Sequence, residues 1–128
     1  MPRTSIEIAS FAHQNPIPAA SRIGPILASS VIAAFNPGER VLPEGVDAQI
    51  ANIFHHVGEM LTAAGADWRH IVKMTFFVAD IKTRDAINAP WAERFPDPNS
   101  RPARHTQITA GPAGPSLVSA DFLAYIDD

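Results

Sequence analysis

Apolar residues recur at helical spacing in one long segment, and strand-forming residues dominate the segment that follows it. The apolar positions between Ile50 and Ala64 lie on one helical face, which predicts a helix over 47–64. Gly65 follows directly, where a helix-ending glycine is typical. The segment 70–80 is rich in β-branched and aromatic residues and predicts a central strand.

Further segments complete a predicted order of strand, strand, helix, strand, helix, strand, strand. Alternating or continuous apolar residues predict strands at 5–11, 26–35, 103–110 and 117–126. A connection rich in glycine and proline, residues 111–116, separates the last two strands. The sequence therefore predicts at least five strands.

The second predicted helix covers about residues 83–95. Pro90 lies inside it, and a proline cannot donate the helical backbone hydrogen bond. We therefore expect a first turn before Asn88 and the main helix after it.

Together these elements predict an α+β sandwich, with one mixed sheet of five to six strands and two helices on one of its faces. The even-numbered residues of 117–126 are all apolar and are assigned to the helix-covered face. In the central strand the corresponding set is Val72, Met74, Phe76 and Val78. The opposite face is mixed but too apolar for plain exposure to water, which predicts a homo-oligomer. Covering loops are the alternative, which we favour less because the loops are short.

Composition narrows the class of protein. The 128 residues are 46% hydrophobic and 18% charged, which predicts a single globular domain over residues 1–128. The net charge is −3 and the ten Lys and Arg residues form no basic run, so we expect no nucleic-acid partner. The absence of cysteine excludes disulfides and thiolate catalysis. No secretory signal or membrane-spanning run is apparent, so we expect a cytoplasmic protein without a membrane partner.

The segment RPARHTQ, residues 101–107, holds two arginines with no acidic residue within three positions on either side. A guanidinium without a nearby partner is either a solvated surface group or a binding group for a carboxylate or phosphate. Arg104 opens a predicted strand, whereas Arg101 lies in the irregular segment before it. We interpret Arg101 as a surface or interface residue.

Four segments together resemble the YjgF/RidA family, the reactive intermediate deaminases. They are AGADWRHIVKMTFFVADI, INAPWAERFPD, RPARHTQ and LVSADFLAYI, which follow one another in the family's order. The resemblance implies a chorismate-mutase-like fold, assembled as a homotrimer with three sites in the clefts between subunits. It also implies hydrolysis of enamine and imine intermediates to carbonyl compounds and ammonia.

The resemblance further implies that Arg104 binds the substrate carboxylate and that Asp121 is the second catalytic residue. The family usually has glutamate at the second position, where it positions the attacking water or takes a proton from it; Asp121 is shorter by one methylene group. Two alternatives stay open. In the alternative for Arg104, this residue forms only an ordinary surface salt bridge, worth about 0–1 kcal/mol. In the alternative for Asp121, the carboxylate pairs with an arginine across an interface and has no catalytic role.

Four more residues match positions near the family's substrate. Asn88 corresponds to an asparagine of the second helix, although a helix-capping role is the alternative. Thr106 corresponds to a residue whose main-chain groups hold the substrate carboxylate. Ser30, after Ser29, stands where the family often has the glycine of a Ser-Gly motif. Ile17 stands near the family's lid tyrosine, so we expect a less polar lid and a different substrate range.

Neither a metal nor a cofactor is expected. The five histidines show no metal-ligand spacing with carboxylates, and no phosphate-binding or dinucleotide motif is present. The leading interpretation is hydrolytic deamination of small carboxylate-bearing enamines and imines. The alternative is a non-catalytic trimeric protein that binds small carboxylates. RNA binding or cleavage is a third possibility, which the low basic content disfavours.

Overall fold

The computed structural model describes residues 1–109 and 116–127, which contain two α-helices, one short 3-10 helix (Trp68–His70) and seven strands. The α-helices are α1 (Val46–Ala63) and α2 (Lys82–Arg94). The strands are β1 (Thr4–Ile6), β2 (Ala20–Ile23), β3 (Ile26–Ser29), β4 (Ile32–Ala33), β5 (Ile71–Val78), β6 (Ala103–Ile108) and β7 (Val118–Tyr125). In this part of the chain, neither helix is long and apolar enough to cross a membrane.

All seven strands belong to one mixed sheet. Six follow the order β1-β2-β3-β7-β5-β6, and the short β4 pairs with β7 beside this path. Only β5 and β6 run parallel, with α2 as the crossover between them. The predicted α+β class is confirmed, with one strand more than the expected five to six. Because β6 is the last strand of this path, no other described strand pairs with one of its edges, which is called its free edge below.

Phe76 of β5 packs against both helices and shows where the core lies. Its ring centroid lies 6.2 Å from that of Phe54 on α1 and 6.2 Å from that of Trp91 on α2. All three residues are buried, so both helices cover the same face of the sheet. Burying each large apolar side chain contributes about 1.5–3 kcal/mol, which holds the two layers together.

The end of α1 agrees with the prediction from Gly65. This glycine has a φ of 76°, and its N–H donates to the carbonyl of Thr62 at 3.1 Å. The N–H of Ala66 donates to the carbonyl of Leu61 at 2.8 Å. These two bonds close a Schellman motif, which glycine favours because it has no Cβ.

The predicted interruption of the second helix is wrong, because α2 runs without a break through Pro90. The proline removes only one backbone hydrogen bond. Ile87 and Trp91, on either side of it, are both buried against the sheet. Their packing holds the helical path that local sequence disfavours.

The first strands are shorter than predicted. The segment 5–11 leaves the sheet after Ile6, and the segment 26–35 divides into β3 and β4. Between them the amide of Ser30 donates to the carbonyl of Ala19 at 2.9 Å, which continues the pairing of β2 with β3 by one residue. The strand β2 was not predicted at all; it forms a hairpin with β3 around Gly24, whose φ is 53°.

The central strand carries an irregularity that alters one predicted face. A register shift against β7 lies between Ile71 and Lys73, so Ile71 is buried while Val72 is 51% exposed. The prediction for Val72 is therefore wrong, whereas Met74, Phe76 and Val78 are buried as expected.

The last strand follows its predicted pattern. The expected helix-facing residues are all buried: Val118, Ala120, Phe122, Ala124 and Ile126. The predicted connection at 111–116 lies outside the described residues except for Ser116, and so does Ala110 at the end of the segment 103–110.

The second face of the sheet is open and apolar. Ile23, Ile26, Leu123 and Tyr125 are 43–53% exposed. The strand register places Ile23, Ile26 and Tyr125 in one row across three strands. The described loops leave this row uncovered.

His56 ties α1 to the chain segments that follow β1 and β4. Its Nε2 lies 2.7 Å from the carbonyl oxygen of Phe35, which can only accept a hydrogen bond, so Nε2 carries the proton. Its Nδ1 then accepts from the hydroxyl of Ser10 at 2.9 Å. Ser10 lies in the part of the predicted strand at 5–11 that has left the sheet. Burial lowers the pKa of His56, and the nearby charge of His55 lowers it further, against the opposing bond to Phe35.

We expect the free energy of unfolding to decrease as the pH falls below the ordinary histidine pKa of 6.5. At such pH values His56 is protonated in the unfolded chain but stays neutral in the folded protein. The free energy of unfolding therefore falls by up to about 1 kcal/mol between about pH 7.5 and pH 5.5. Urea denaturation at both pH values measures this. The variant His56→Gln, which keeps a donor for Phe35, should show a smaller pH dependence; an equal dependence in both proteins would contradict the assignment.

Candidate active site

Arg104 is held at the free edge of the sheet by two side chains of α2. Its Nη2 donates to Oδ1 of Asn88 at 2.7 Å, and its guanidinium carbon lies 5.2 Å from the ring centroid of Trp91. In the register of β5 and β6 it stands beside Met74, which faces the helices. The guanidinium therefore lies on the helix side of the sheet, at its edge.

The charge of Arg104 is not balanced within the described part of the chain. None of the salt bridges there involves Arg104. Burial lowers the pKa of its guanidinium, and repulsion from Arg84 adds to this effect. Both influences disfavour the cation, and a bound anion would relieve both. The geometry is that of a partly buried, oriented group able to bind a carboxylate.

Asn88 lies inside α2 and orients Arg104, so the helix-capping alternative is wrong. Thr106 lies two residues further along β6, on the same face as Arg104. The amide of Thr109 donates to the carbonyl of Val78 at 2.9 Å, toward β5. By strand alternation the amide of Thr106 then points to the free edge, where it is available to a ligand.

A second group of candidate residues lies on segments near the end of β3. The hydroxyl of Ser30 donates to the carbonyl of Pro18 at 2.7 Å, which joins it to the loop that carries Ile17. The hydroxyl of Ser29 accepts from the amide of Phe122 at 2.9 Å, which joins the same turn to β7 beside Asp121. Ile17 itself is 44% exposed. These two hydrogen bonds connect the segments that carry Ile17, Ser30 and Asp121.

Asp121 lies on the open face of the sheet. Its register partner on β5 is Thr75, and His105 of β6 continues the same row. Burial raises the pKa of the Asp121 carboxyl, and the charge of Lys73 opposes this rise. A carboxyl group that takes up protons more readily than usual is suited to accept a proton from water.

Arg104 and Asp121 stand on opposite faces of one sheet. Arg104 shares its row with Met74, whereas Asp121 shares its row with Thr75, the next residue along β5. Successive side chains of a strand point to opposite faces. In the described part of the chain, no hydrogen bond or salt bridge joins the group of Arg104 to the group of Asp121. The chain therefore carries two separate groups of candidate site residues, the Arg104 half-site and the Asp121 half-site.

The other arginine of the motif has a different place. Nε of Arg101 donates to the carbonyl of Phe95 at 2.8 Å, which fixes the irregular segment before β6. Sequence reasoning missed Trp91 and Arg84 as neighbours of Arg104. Their spacing from Asn88, three residues after it and four before it, is the signal that would have found them.

A large groove of the described chain is separate from both half-sites. It has a volume of about 840 Å³ and lies between α1 and α2, with Phe54 and Trp68 among its lining residues. Arg94 covers Trp68 there, with its guanidinium carbon 4.4 Å from the ring centroid. None of the predicted site residues lines this groove, so its size alone does not make it the active site.

Comparison with known proteins gives one matching family. Residues 5–113 match the model of the family described as endoribonuclease L-PSP. The chain is 33% identical over 88 residues to reactive intermediate deaminase A, chloroplastic, of Arabidopsis thaliana; this alignment covers 68% of the chain and 46% of the relative. It is 36% identical over 76 residues to a 2-iminobutanoate/2-iminopropanoate deaminase of Capra hircus, which covers 59% of the chain and 54% of the relative.

These alignments span about half the length of the curated relatives. Among solved structures, a Rid-family protein of unknown function from Yersinia pestis, YyfA, is similar over nearly the whole chain. Its TM-score is 0.89 at 24% identity, with 98% of this chain and 100% of that chain covered. This similarity confirms the fold.

The surroundings of Asp121 give a prediction about its pKa. Replacing Lys73 by methionine should raise the pKa of the Asp121 carboxyl further, because the opposing positive charge is lost while burial remains. A pH titration of the side-chain carboxyl carbon by NMR measures the change. The variant Lys82→Met, on the helix layer, is the control and should leave the pKa of Asp121 unchanged. An unchanged or lower pKa in Lys73→Met would contradict this assignment.

Proposed function

This chain belongs to the endoribonuclease L-PSP family, also called the YjgF/RidA family, and on that premise we propose that it deaminates small carboxylate-bearing enamines and imines by hydrolysis. The products are carbonyl compounds and ammonia. The observation that carries the proposal is the guanidinium of Arg104, oriented by Asn88 and Trp91 without an acidic partner in the described chain.

Arg104 binds the substrate carboxylate in this proposal. A guanidinium can hold a carboxylate through two parallel hydrogen bonds, which fixes both position and orientation. The amide of Thr106, on the free edge of β6, adds a further donor nearby. Positioning of this kind supplies much of the rate enhancement when the reaction itself is not difficult.

The reaction needs one water molecule and the transfer of protons. Water adds to the imine carbon, its oxygen forming the new C–O bond while a proton reaches the nitrogen. The hydroxyl proton of the resulting carbinolamine then passes to the nitrogen while the C–N bond breaks and the C=O bond forms, which releases ammonia. Asp121 orients the water and accepts its proton, a role that the raised pKa of this carboxyl favours.

A complete site requires a second copy of the chain. Arg104 and Asp121 cannot meet within one subunit because they lie on opposite faces of its sheet. Leu123 and Tyr125 belong to the exposed apolar surface on the face of Asp121, and a partner subunit would cover this surface. We take the number of three subunits from the family resemblance.

The second candidate is a trimeric protein that binds small carboxylates without catalysis. Ile17 is exposed where the family has a tyrosine, so the lid has no hydroxyl. Asp121 is shorter than the usual glutamate, which changes where it would hold the water. These two departures from the family pattern make binding without turnover a stronger candidate for this chain than for a standard family member.

The variant Arg104→Ala should lose nearly all activity, about 100-fold or more, because the substrate is no longer held. The assay generates 2-iminopropanoate from alanine with an amino acid oxidase and follows ammonia release against a buffer control. Arg101→Ala is the matched control from the same segment and should retain activity, since Arg101 contacts only a backbone carbonyl among the described residues.

The outcomes separate the two candidates. Wild-type ammonia release in Arg104→Ala would contradict the mechanism. Saturable binding of 2-oxobutanoate by the wild-type protein, lost in Arg104→Ala and accompanied by no acceleration of imine hydrolysis, would contradict deamination and support the binding protein.

A further inference from the structure

Arg84 stands beside the Arg104 half-site, and the proposed function gives it no role. It lies on α2 four residues before Asn88, so the two residues share one flank of the helix. Asn88 in turn accepts a hydrogen bond from Arg104 at 2.7 Å. Trp91, which packs against the guanidinium of Arg104, lies on the same flank one turn further. The flank thus carries a cation, an amide and an aromatic ring toward the free edge of β6.

The two guanidinium groups repel each other. The charge of Arg84 lowers the pKa of Arg104, which means that the two cations interact through space. The described part of the chain offers no salt bridge to either of them. Asp85 is the next residue of α2, about 100° around the helix from Arg84. Asp80 uses its Oδ1 to accept the backbone amide of Lys82 at 2.9 Å.

The position of Arg84 in the helix adds to this imbalance. It lies in the first turn of α2, where the helix dipole disfavours a positive charge. The side chain of Arg84 is exposed and is therefore accessible to a ligand. A ligand with a second negative charge would compensate both the repulsion and the dipole.

The geometry points to Arg84 as a second anion-binding group of the Arg104 half-site, so that the preferred substrates are 2-imino acids with two carboxylates. One carboxylate is held by Arg104 and the other by Arg84, each through the planar donor pair of a guanidinium. This inference rests on the proposed function for the reaction, but its binding part stands on the two arginines alone.

The kinetic test compares imines with one and with two carboxylates. Amino acid oxidases generate 2-iminopropanoate from alanine, 2-iminosuccinate from aspartate and 2-iminoglutarate from glutamate, and trapping by semicarbazide reports the rate of imine hydrolysis. We expect the wild-type protein to show a higher kcat/KM for at least one of the dicarboxylates. The variant Arg84→Gln should reduce this preference by about tenfold or more, as expected for the loss of a charge-assisted hydrogen bond.

Two further variants distinguish recognition by Arg84 from a general effect of charge. Lys82→Gln removes the same net charge from the same turn of α2 but points about 200° away around the helix, so the substrate preference should stay unchanged. Arg84→Lys should retain part of the preference. An equal loss for all three imines in Arg84→Gln, or an unchanged preference, would overturn the inference.

A binding measurement keeps the inference separate from the proposed reaction. Titration calorimetry compares 2-oxoglutarate, with two carboxylates, with 2-oxobutanoate, which has one. Tighter binding of 2-oxoglutarate that Arg84→Gln reduces and Lys82→Gln retains supports the inference even if no imine is hydrolysed. Equal affinity of the wild-type protein for both compounds overturns it, even if 2-iminopropanoate is hydrolysed.

Discussion

An oriented guanidinium without an acidic partner is the interaction on which this account depends. The chain places Arg104 on the last strand of the sheet, where one edge is free, and fixes it with Asn88 and Trp91 of the crossing helix. Burial and the charge of Arg84 both disfavour the cation, and in the described residues no carboxylate compensates. The fold thus holds this cation at some electrostatic cost, a pattern typical of functional sites.

The same sheet underlies the proposal that a site is completed only by a second copy of the chain. Adjacent rows of side chains point to opposite faces, so the row of Arg104 faces the helices while the row of Asp121 faces outward. The outward face also carries Leu123 and Tyr125, apolar residues that water solvates poorly. Association of copies through that surface would bury it and would bring half-sites of different subunits together. The alternation of side chains between the two faces of the sheet would then account both for the association of copies and for the pairing of half-sites.

The sequence predicted those elements whose one-sided burial produces a periodic pattern of apolar residues. It failed where packing between elements or the register of strand pairing determines the structure. The helix at 47–64 and the alternation of 117–126 follow from one-sided burial. The helix α2 continues through Pro90 because the neighbouring residues pack in the core. A register shift in β5 turns Val72 outward. The motif identified Arg104, but its neighbours Trp91 and Arg84 emerge only once α2 is known to be continuous. The separation of the half-sites requires the register of three strands, which no single segment encodes.

Subunit complementation tests most directly that the site is shared between copies. Arg104→Ala and Asp121→Ala should each be nearly inactive alone, whereas oligomers reassembled from an equal mixture should recover about one quarter of the wild-type rate of 2-iminopropanoate hydrolysis. That share follows because random mixing joins an intact Arg104 to an intact Asp121 at about one interface in four. No recovery in verified mixed oligomers, or full activity of either variant alone, would contradict the account.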